Sequence, residues 1–538
     1  MKRILALVLM LAMIATLGVT SAFAADDGFV DGKFTNTRHI TVEIFNRNND
    51  GGSDPTNNVW TEYLKKGMLE RYNVEVEYVS VGRWSEVDDL NNLLAIGDAP
   101  DICYTYSAPT ILNYAGMGGV IDLAPYLEEY GDQLEDLKAL IGAENLFYDK
   151  DPATGTVYML QGAMPNNGRI TTFIRQDWLN KLGLEVPTTT QQFHDALVAF
   201  RDNAETLLGA DADKMVPYTT STDIGWRNDL MSISFVPDDV SDETLYVYGY
   251  DDRHLLYPNY KEGIRTLNAW YNEGLVWKDF ALYTDSTEED NMMKAGYVGA
   301  FMHNWDYPFR NGEDSIAANL IRNVGEDAMF IPIDCFQNDA GITRKFLGSV
   351  VGSDRKSFLP ATCDEPLAAL LYLNFISSAE TIKYLQTGLE GTNFVMADGG
   401  AYQILPATGE WVKNSGNNID YTMTCNGLYL GEATDASTAL SYPGIPADIV
   451  IQANNFSKTN GRIAKHFNCG TIEAENDVGT SLTSKRDALL TKAVTAAPDA
   501  FDAEFDAGMA DYLASGGQAI IDERIEKLAE VYGIQYEK

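Results

Sequence analysis

HITVEIFN (39–46), VEVEYVS (74–80) and DICYTY (101–106) are short runs in which apolar and β-branched residues recur with the period of a strand. The intervals between them carry helical spacing. Trp60, Tyr63, Leu64 and Met68 fall on one side of residues 57–72, and residues 85–97 follow a similar rhythm. Strand, helix, strand, helix, strand at this spacing predicts βαβ units and a largely parallel sheet, hence an α/β protein. In such sheets ligands sit beyond the carboxyl ends of the strands. That rule directs attention to Arg47, Asn48 and Asp50 after the first run and to Tyr106 and Ser107 after the third.

Further along, residues 171–175 read as a strand, and Thr189 with Gln192 as a capping box whose glutamine reaches back to the Thr189 N–H. Phe193, Leu197 and Phe200 form the buried stripe of the helix it opens. Tyr260, Ile264, Leu267 and Tyr271 repeat that logic, with Gly274 placed to end the helix. Residues 298–302 are a strand, and 367–375 and 501–532 are amphipathic helices. Trp178 and Trp270 lie on helical stripes and are assigned to packing. Trp226, beside Asp223 and Arg227 in TSTDIGWRND (220–229), sits among turn-forming polar residues. So does Trp305, with Asn304, Asp306 and Tyr307.

The compartment is read from residues 1–24. Lys2 and Arg3 precede an apolar run, and Ala22-Phe23-Ala24 supplies a small-x-small cleavage pattern, so a secretory signal peptide and an exported protein are expected. No cysteine stands at that site to be lipidated; the first is Cys103. Five scattered cysteines in 538 residues make neither a disulfide framework nor a zinc ribbon. A formal charge of −39 disfavours nucleic acid and anionic lipid as partners. Residues 25–36 read as a flexible arm, and 395–470 as a long polar stretch without an evident place.

Against this background, IRQDWLNKLGLEVPTTTQQFHDAL (174–197), GDAPDICYTYSAPTILNYAGMGGVIDLAPYL (97–127), LNAWYNEGLV (267–276), AGYVGAFMHNWDYP (295–308) and EPLAALLYLNFISSAETIKYLQTGLEGTNF (365–394) occur in order. Together they resemble family 1 extracellular solute-binding proteins of carbohydrate ABC importers, maltose-binding-protein-like and of the larger Firmicute-type branch. The resemblance implies a two-lobed periplasmic-binding-protein fold with a hinge and an interlobe ligand cleft. Residues 37–168 plus 347–390 would form the first lobe and 169–346 plus 391–538 the second, hinged at 162–170 and 346–352. It also implies a monomer that delivers a carbohydrate to membrane permease subunits, with no catalytic residue and no cofactor. A tryptophan or tyrosine shortly after the 298–302 strand often stacks on sugar in this family, and Trp305 matches it best.

A sugar offers an apolar face and a rim of hydroxyls, so its site needs flat aromatic surface and fixed polar groups. The expected binding set is therefore Arg47, Asn48, Asp50, Tyr106, Ser107, Asp223, Trp226, Arg227, Asn304, Trp305, Asp306 and Tyr307. NRNNDGGSDP (46–55) lacks the twelfth-position glutamate of a calcium loop, and no metal is expected there. There is no G-x-S-x-G elbow, P-loop or H-E-x-x-H. Among 78 acidic residues, a glycoside hydrolase or lyase with a carboxyl pair stays open. So do an adhesin or ligand sensor of the same fold, a polyamine site using Asp50, Asp223 and Asp306, and an anion site using Arg47 and Arg227.

Overall fold

The strand Arg38–Asn46 runs parallel to Val74–Gly82 in continuous register, Arg38 opposite Val74 and Asn46 opposite Gly82. Val74, Val76 and Tyr78 point inward while Glu75 and Glu77 face solvent, the alternation that the sequence shows. The helix between them, Val59–Tyr72, buries Trp60, Leu64 and Met68. Asn58 caps it by accepting from the N–H groups of Trp60 and Thr61, and Asn73 ends it in the left-handed region at φ 59°. A parallel bridge from Val42 to Ile102 sets Cys103–Thr105 alongside, so the carboxyl ends of all three runs share one edge. This computed structural model describes residues 28–47, 54–165, 168–251, 253–283, 285–336, 345–346, 355–413, 415–459, 461–462 and 464–537. The expected signal peptide, Asn48, Asp50 and residues 347–352 of the expected second hinge lie outside them.

Two large cores organise the chain. The first gathers Ile40, Val42, Trp60 and Leu64 with Leu359, Leu370 and Tyr372, and it takes in Tyr421 and Met423. The second surrounds a mixed sheet in the order Phe330–Ile333, Ile170–Arg175, Val298–Asn304, Val216–Thr219. The two central strands of this sheet are antiparallel, and Val216–Thr219 lies parallel to Val298–Asn304. The sheets are thus mixed, not largely parallel. Trp178 and Trp270 are both buried in the second core, as their helical stripes require.

Several expectations are corrected. Residues 28–36 are not a loose arm: Phe29–Val30 pairs with Lys33–Phe34, and Phe34 is buried in the first core with Phe29 against it. Two phenylalanines in a polar segment suffice to dock it. Residues beyond 390 do not all join the second core, because Tyr421 donates to the Pro55 carbonyl at 2.8 Å from within the first. The helix Pro366–Ser377 is not amphipathic; Leu367 through Ser377 are buried on every face. In the capping box, Thr189 Oγ1 accepts from the Gln192 N–H at 3.2 Å, but Gln192 Oε1 accepts from Thr188. All five cysteines are buried.

The chain leaves the first core after Leu160 and enters the second at Ile170. It returns between Phe336 and Leu359, then crosses again between Met423 and Val450. The first and last of these crossings pair: Ala163 donates to the Thr424 carbonyl at 2.8 Å, and Asn426 donates to that of Ala163 at 2.8 Å. Helices Glu473–Thr495, Phe501–Tyr512 and Gln518–Tyr532 close the second half. A π-turn at Leu513–Gly517 interrupts the last two. Gly516 is required there: its φ is 127°, and a Cβ would stand 2.6 Å from Val478.

Trp270 packs against Phe193 and Tyr218 at ring separations of 5.8 and 6.4 Å. Trp270→Ala is expected to lower stability by about 3–5 kcal/mol through the cavity it leaves. Denaturant unfolding would show it as a lower midpoint, with no change in ligand affinity per folded molecule.

Candidate ligand site

The edge formed by Asn46, Gly82 and Thr105 carries a knot of arginine and aromatic side chains. The Arg83 guanidinium lies over the rings of Tyr106, Trp84 and Phe45 at 4.3, 5.0 and 5.2 Å, and donates to Glu86 at 2.7 Å. Trp84 is 82% exposed, a flat indole left in water at the end of a strand. Such a surface matches the face of a sugar. The sequence reading passed over it, although its surroundings, VGRWSE, are as polar as those of Trp305. Arg47 also belongs to this edge, but its fork is engaged: Nε and Nη2 donate to Asp420 at 2.6 and 2.9 Å. Arg355 shares that carboxylate at 3.3 Å. Ser107 caps the helix Ala108–Gly116, its Oγ accepting from the N–H and hydroxyl of Thr110 at 3.3 and 2.8 Å.

A second cluster lies where Val216–Thr219 and Val298–Asn304 end and Ile170–Arg175 begins. Trp305 donates its N–H to the Arg169 carbonyl at 2.8 Å. Trp226 holds two guanidinium groups near its ring, Arg253 at 5.0 Å and Arg169 at 5.8 Å. Asp223 neutralises Arg253 through two bonds of 2.8 Å. Burial opposes the charge on Asp223, yet the bonds and field of Arg253 outweigh it and hold the carboxyl below its ordinary range. Asp306 accepts from Arg310 at 2.6 Å and from the Tyr442 hydroxyl at 2.9 Å, and Tyr442 meets Trp305 edge-on at 6.0 Å.

Around them, Tyr307 stacks on His303 at 3.5 Å and donates to Asp290 at 2.7 Å. The Asn304 N–H donates to His303 Nδ1 at 2.7 Å. Burial, then Arg227 and Arg310, push the imidazole well below its usual range. It is therefore neutral, with its proton on Nε2.

Arg227 is not at this surface. It is buried, its fork donates to Glu289 at 2.7 and 2.5 Å, and its Nε donates to the Met302 carbonyl at 2.7 Å. An arginine so spent holds the short helix Ile224–Arg227 against the sheet and cannot serve an anion. Of the expected set, Tyr106 joins the first edge, and Asp223, Trp226, Asn304, Trp305, Asp306 and Tyr307 form the second. Sequence reasoning missed Arg83, Trp84, Arg169 and Tyr442.

The helix Glu473–Thr495 packs against both Ala108–Gly116 and Ile224–Arg227, so the two edges meet the same element. A cavity of about 620 Å³ lies elsewhere, lined by Tyr248, Tyr257, Phe505, Met509 and Leu513 among others, and by none of the edge residues. Among the described residues no cluster of His, Cys, Asp and Glu is disposed to hold a metal ion.

No protein-family model matches the chain. Among solved structures, it resembles the fructooligosaccharide-binding FusA of Streptococcus pneumoniae in complex with fructo-nystose. That match has a TM-score of 0.63 at 14% identity, over 92% of this chain and 100% of that one. The alginate-binding protein AlgQ2 gives 0.61 at 16% identity, over 90% and 98%. The fold is that of a solute-binding protein. In sequence, lipoprotein LipO of Bacillus subtilis is 24% identical over 354 residues, 62% of this chain and 64% of LipO. FusA is 23% identical over 244 residues, 43% of this chain and 41% of FusA. The aligned stretches thus span less than two thirds of either relative. These are proteins of the kind the sequence motifs resemble.

Two expectations follow from this geometry. Arg227→Ala leaves Glu289 charged and buried without its partner, and is expected to destabilise the fold by about 3–5 kcal/mol in denaturant unfolding. Asp149, which accepts from the Gln161 N–H at 3.0 Å where the first crossing begins, is pushed up by burial to about 7. A carboxyl raised in the folded state binds its proton there first, so stability falls as pH rises from about 4 to about 7. Asp149→Asn should flatten that slope in melting temperature against pH.

Proposed function

We propose that this chain is the extracytoplasmic solute-binding subunit of an ABC importer. It captures an oligosaccharide between two lobes and presents it to membrane permease subunits. It is exported, works as a monomer and carries out no reaction on its ligand. The first lobe comprises the residues around the first core, 28–161 and 355–425, and the second those around the second, 170–336 and 447–537. The single observation that carries the reading is the pair of arginine–aromatic edges, Trp84 with Tyr106 and Trp226 with Trp305, that meet one helix. Flat rings framed by fixed polar groups suit pyranose or furanose units, and a gap between lobes suits a chain of them. The names of the similar proteins, one fructooligosaccharide-binding and one alginate-binding, support the same class. Paired crossings at 162–164 and 424–426 supply the connection about which such lobes close.

A thermal-shift screen of the full chain against oligosaccharides, polyamines and inorganic anions tests this. A sugar present at 100 times its Kd should stabilise the native state by about 2.7 kcal/mol, and chromatography should recover it uncleaved. Cleavage would make the protein a hydrolase, and hits confined to polyamines would overturn the ligand class. Trp84→Ala and Trp305→Ala should each weaken the bound sugar by at least about tenfold, the loss of one stacking surface. The melting temperature of ligand-free Trp84→Ala should stay unchanged.

A further inference from the structure

Arg169 stands apart from the other arginines of this acidic chain. Every other arginine among the described residues forms an ion pair with a carboxylate. Arg169 forms none. Its side chain makes one polar contact, from Nη2 to the Met164 sulfur at 3.3 Å, and a thioether is a weak acceptor. It is half-buried, and its guanidinium lies 5.8 Å from the Trp226 ring. The backbone is fixed, because its carbonyl accepts from Trp305. The neighbouring cation on the same indole, Arg253, has its charge cancelled by Asp223. In a chain with twice as many acidic as basic residues, 78 against 39, an arginine without a carboxylate is held away from them by its position. That position is the start of the second edge, with the Trp226 ring beside the guanidinium and the Trp305 backbone bonded to the Arg169 carbonyl.

We infer that Arg169 receives a carboxylate of the ligand, and that the substrate class is an acidic oligosaccharide, one built with uronic acid units. The inference rests on the capture reading and deepens it. A guanidinium offers parallel N–H donors that match a carboxylate in two-point contact, and one positive charge balances one carboxylate. The Trp226 indole lies beside it, so a sugar ring seated on that indole would carry its ring-attached carboxylate toward Arg169. The net charge of −39 opposes an anionic ligand only at long range, and physiological salt screens that field beyond about 8 Å. Within the site the direct pair decides.

The test is titration calorimetry of the full chain with oligogalacturonate and oligoalginate, each beside its methyl ester, and with neutral oligosaccharides of the same length. The free acid should bind at least about tenfold more tightly than its ester, as expected for a charge-assisted pair. In Arg169→Gln that preference should fall to within about twofold, and Arg169→Lys should restore part of it, keeping charge without the fork. Melting curves of the ligand-free variants establish that they fold. Equal affinity for acid and ester, tight binding of neutral sugars alone, or a preference that survives Arg169→Gln would overturn the inference and leave oligosaccharide capture standing. Binding of no oligosaccharide at all would overturn both.

Discussion

Asp420 is the point on which the first half of the molecule is fastened. Its side chain has no exposure, and both Arg47 and Arg355 converge on it, the second equally buried. Each of the three comes from a different part of the chain: the end of the first strand, the return from the second core, and the loop before the last crossing. A carboxylate taken out of water is costly unless it is paired and hydrogen-bonded. Two guanidinium groups meet that demand, and the backbone there is held separately by the Asp420 N–H, which donates to the Ser415 hydroxyl at 3.2 Å. Arg355 also donates to the carbonyl of Cys425 at 3.3 Å, the residue bridged to Ala163. The clamp therefore fixes the first arginine–aromatic edge and the crossing segments through one carboxylate. Removing Asp420 would leave two converging guanidinium groups, that of Arg355 fully buried, without their shared counter-charge.

The second half repeats the device with different parts. Arg227 and Glu289 tie the short helix beneath Trp226 to the helix Thr287–Ala295, and the Arg227 Nε bond to Met302 ties both to the central strand. Asp223, Arg253 and Asp251 with Arg486 extend the network outward to the carboxyl-terminal helices. Each edge is thus rigid behind its rings, of which Trp84 is exposed and Tyr106, Trp226 and Trp305 are half-buried. Preorganised side chains lose little freedom when a ligand arrives, so more of the contact energy appears as affinity.

Much of this was legible in the sequence because burial writes a period into it. The strands Arg38–Asn46 and Val74–Gly82 and the stripe of Phe193, Leu197 and Phe200 were readable one side chain at a time. The loops after the strands were readable too, by the rule for carboxyl ends, and that rule pointed to Tyr106, Trp226 and Trp305, which stand at the two edges. It could not separate a ligand-facing arginine from one spent on structure. Arg47 and Arg227 looked alike in their polar loops, yet their partners lie 373 and 62 residues away. Arg169 drew no attention because it precedes a strand, and only an antiparallel partner brings that end to the site. The N-terminal segment was misread for the opposite reason: two phenylalanines are too few to make a period but enough to dock a hairpin.

The distribution of charge then has a functional consequence. With acidic residues so abundant, carboxylates are available to nearly any guanidinium at the surface, and the described arginines are paired accordingly. Leaving one without a partner costs attraction that a small shift of loop could recover, so the fold must withhold a carboxylate from it. The constraint is visible in the backbone: the Arg169 carbonyl is bonded to Trp305, and Ser457 and Lys458 crowd Gly168 so closely that a Cβ would stand 2.4 Å from the Ser457 carbonyl oxygen. The guanidinium is held at the edge by packing on one side and the indole of Trp226 on the other. An acidic shell screened by salt keeps the protein dispersed and contributes little at short range. On the inference of an acidic ligand, a cation beside the Trp226 indole with no carboxylate partner among the described residues sets the sign of the site, and the shell around it does not.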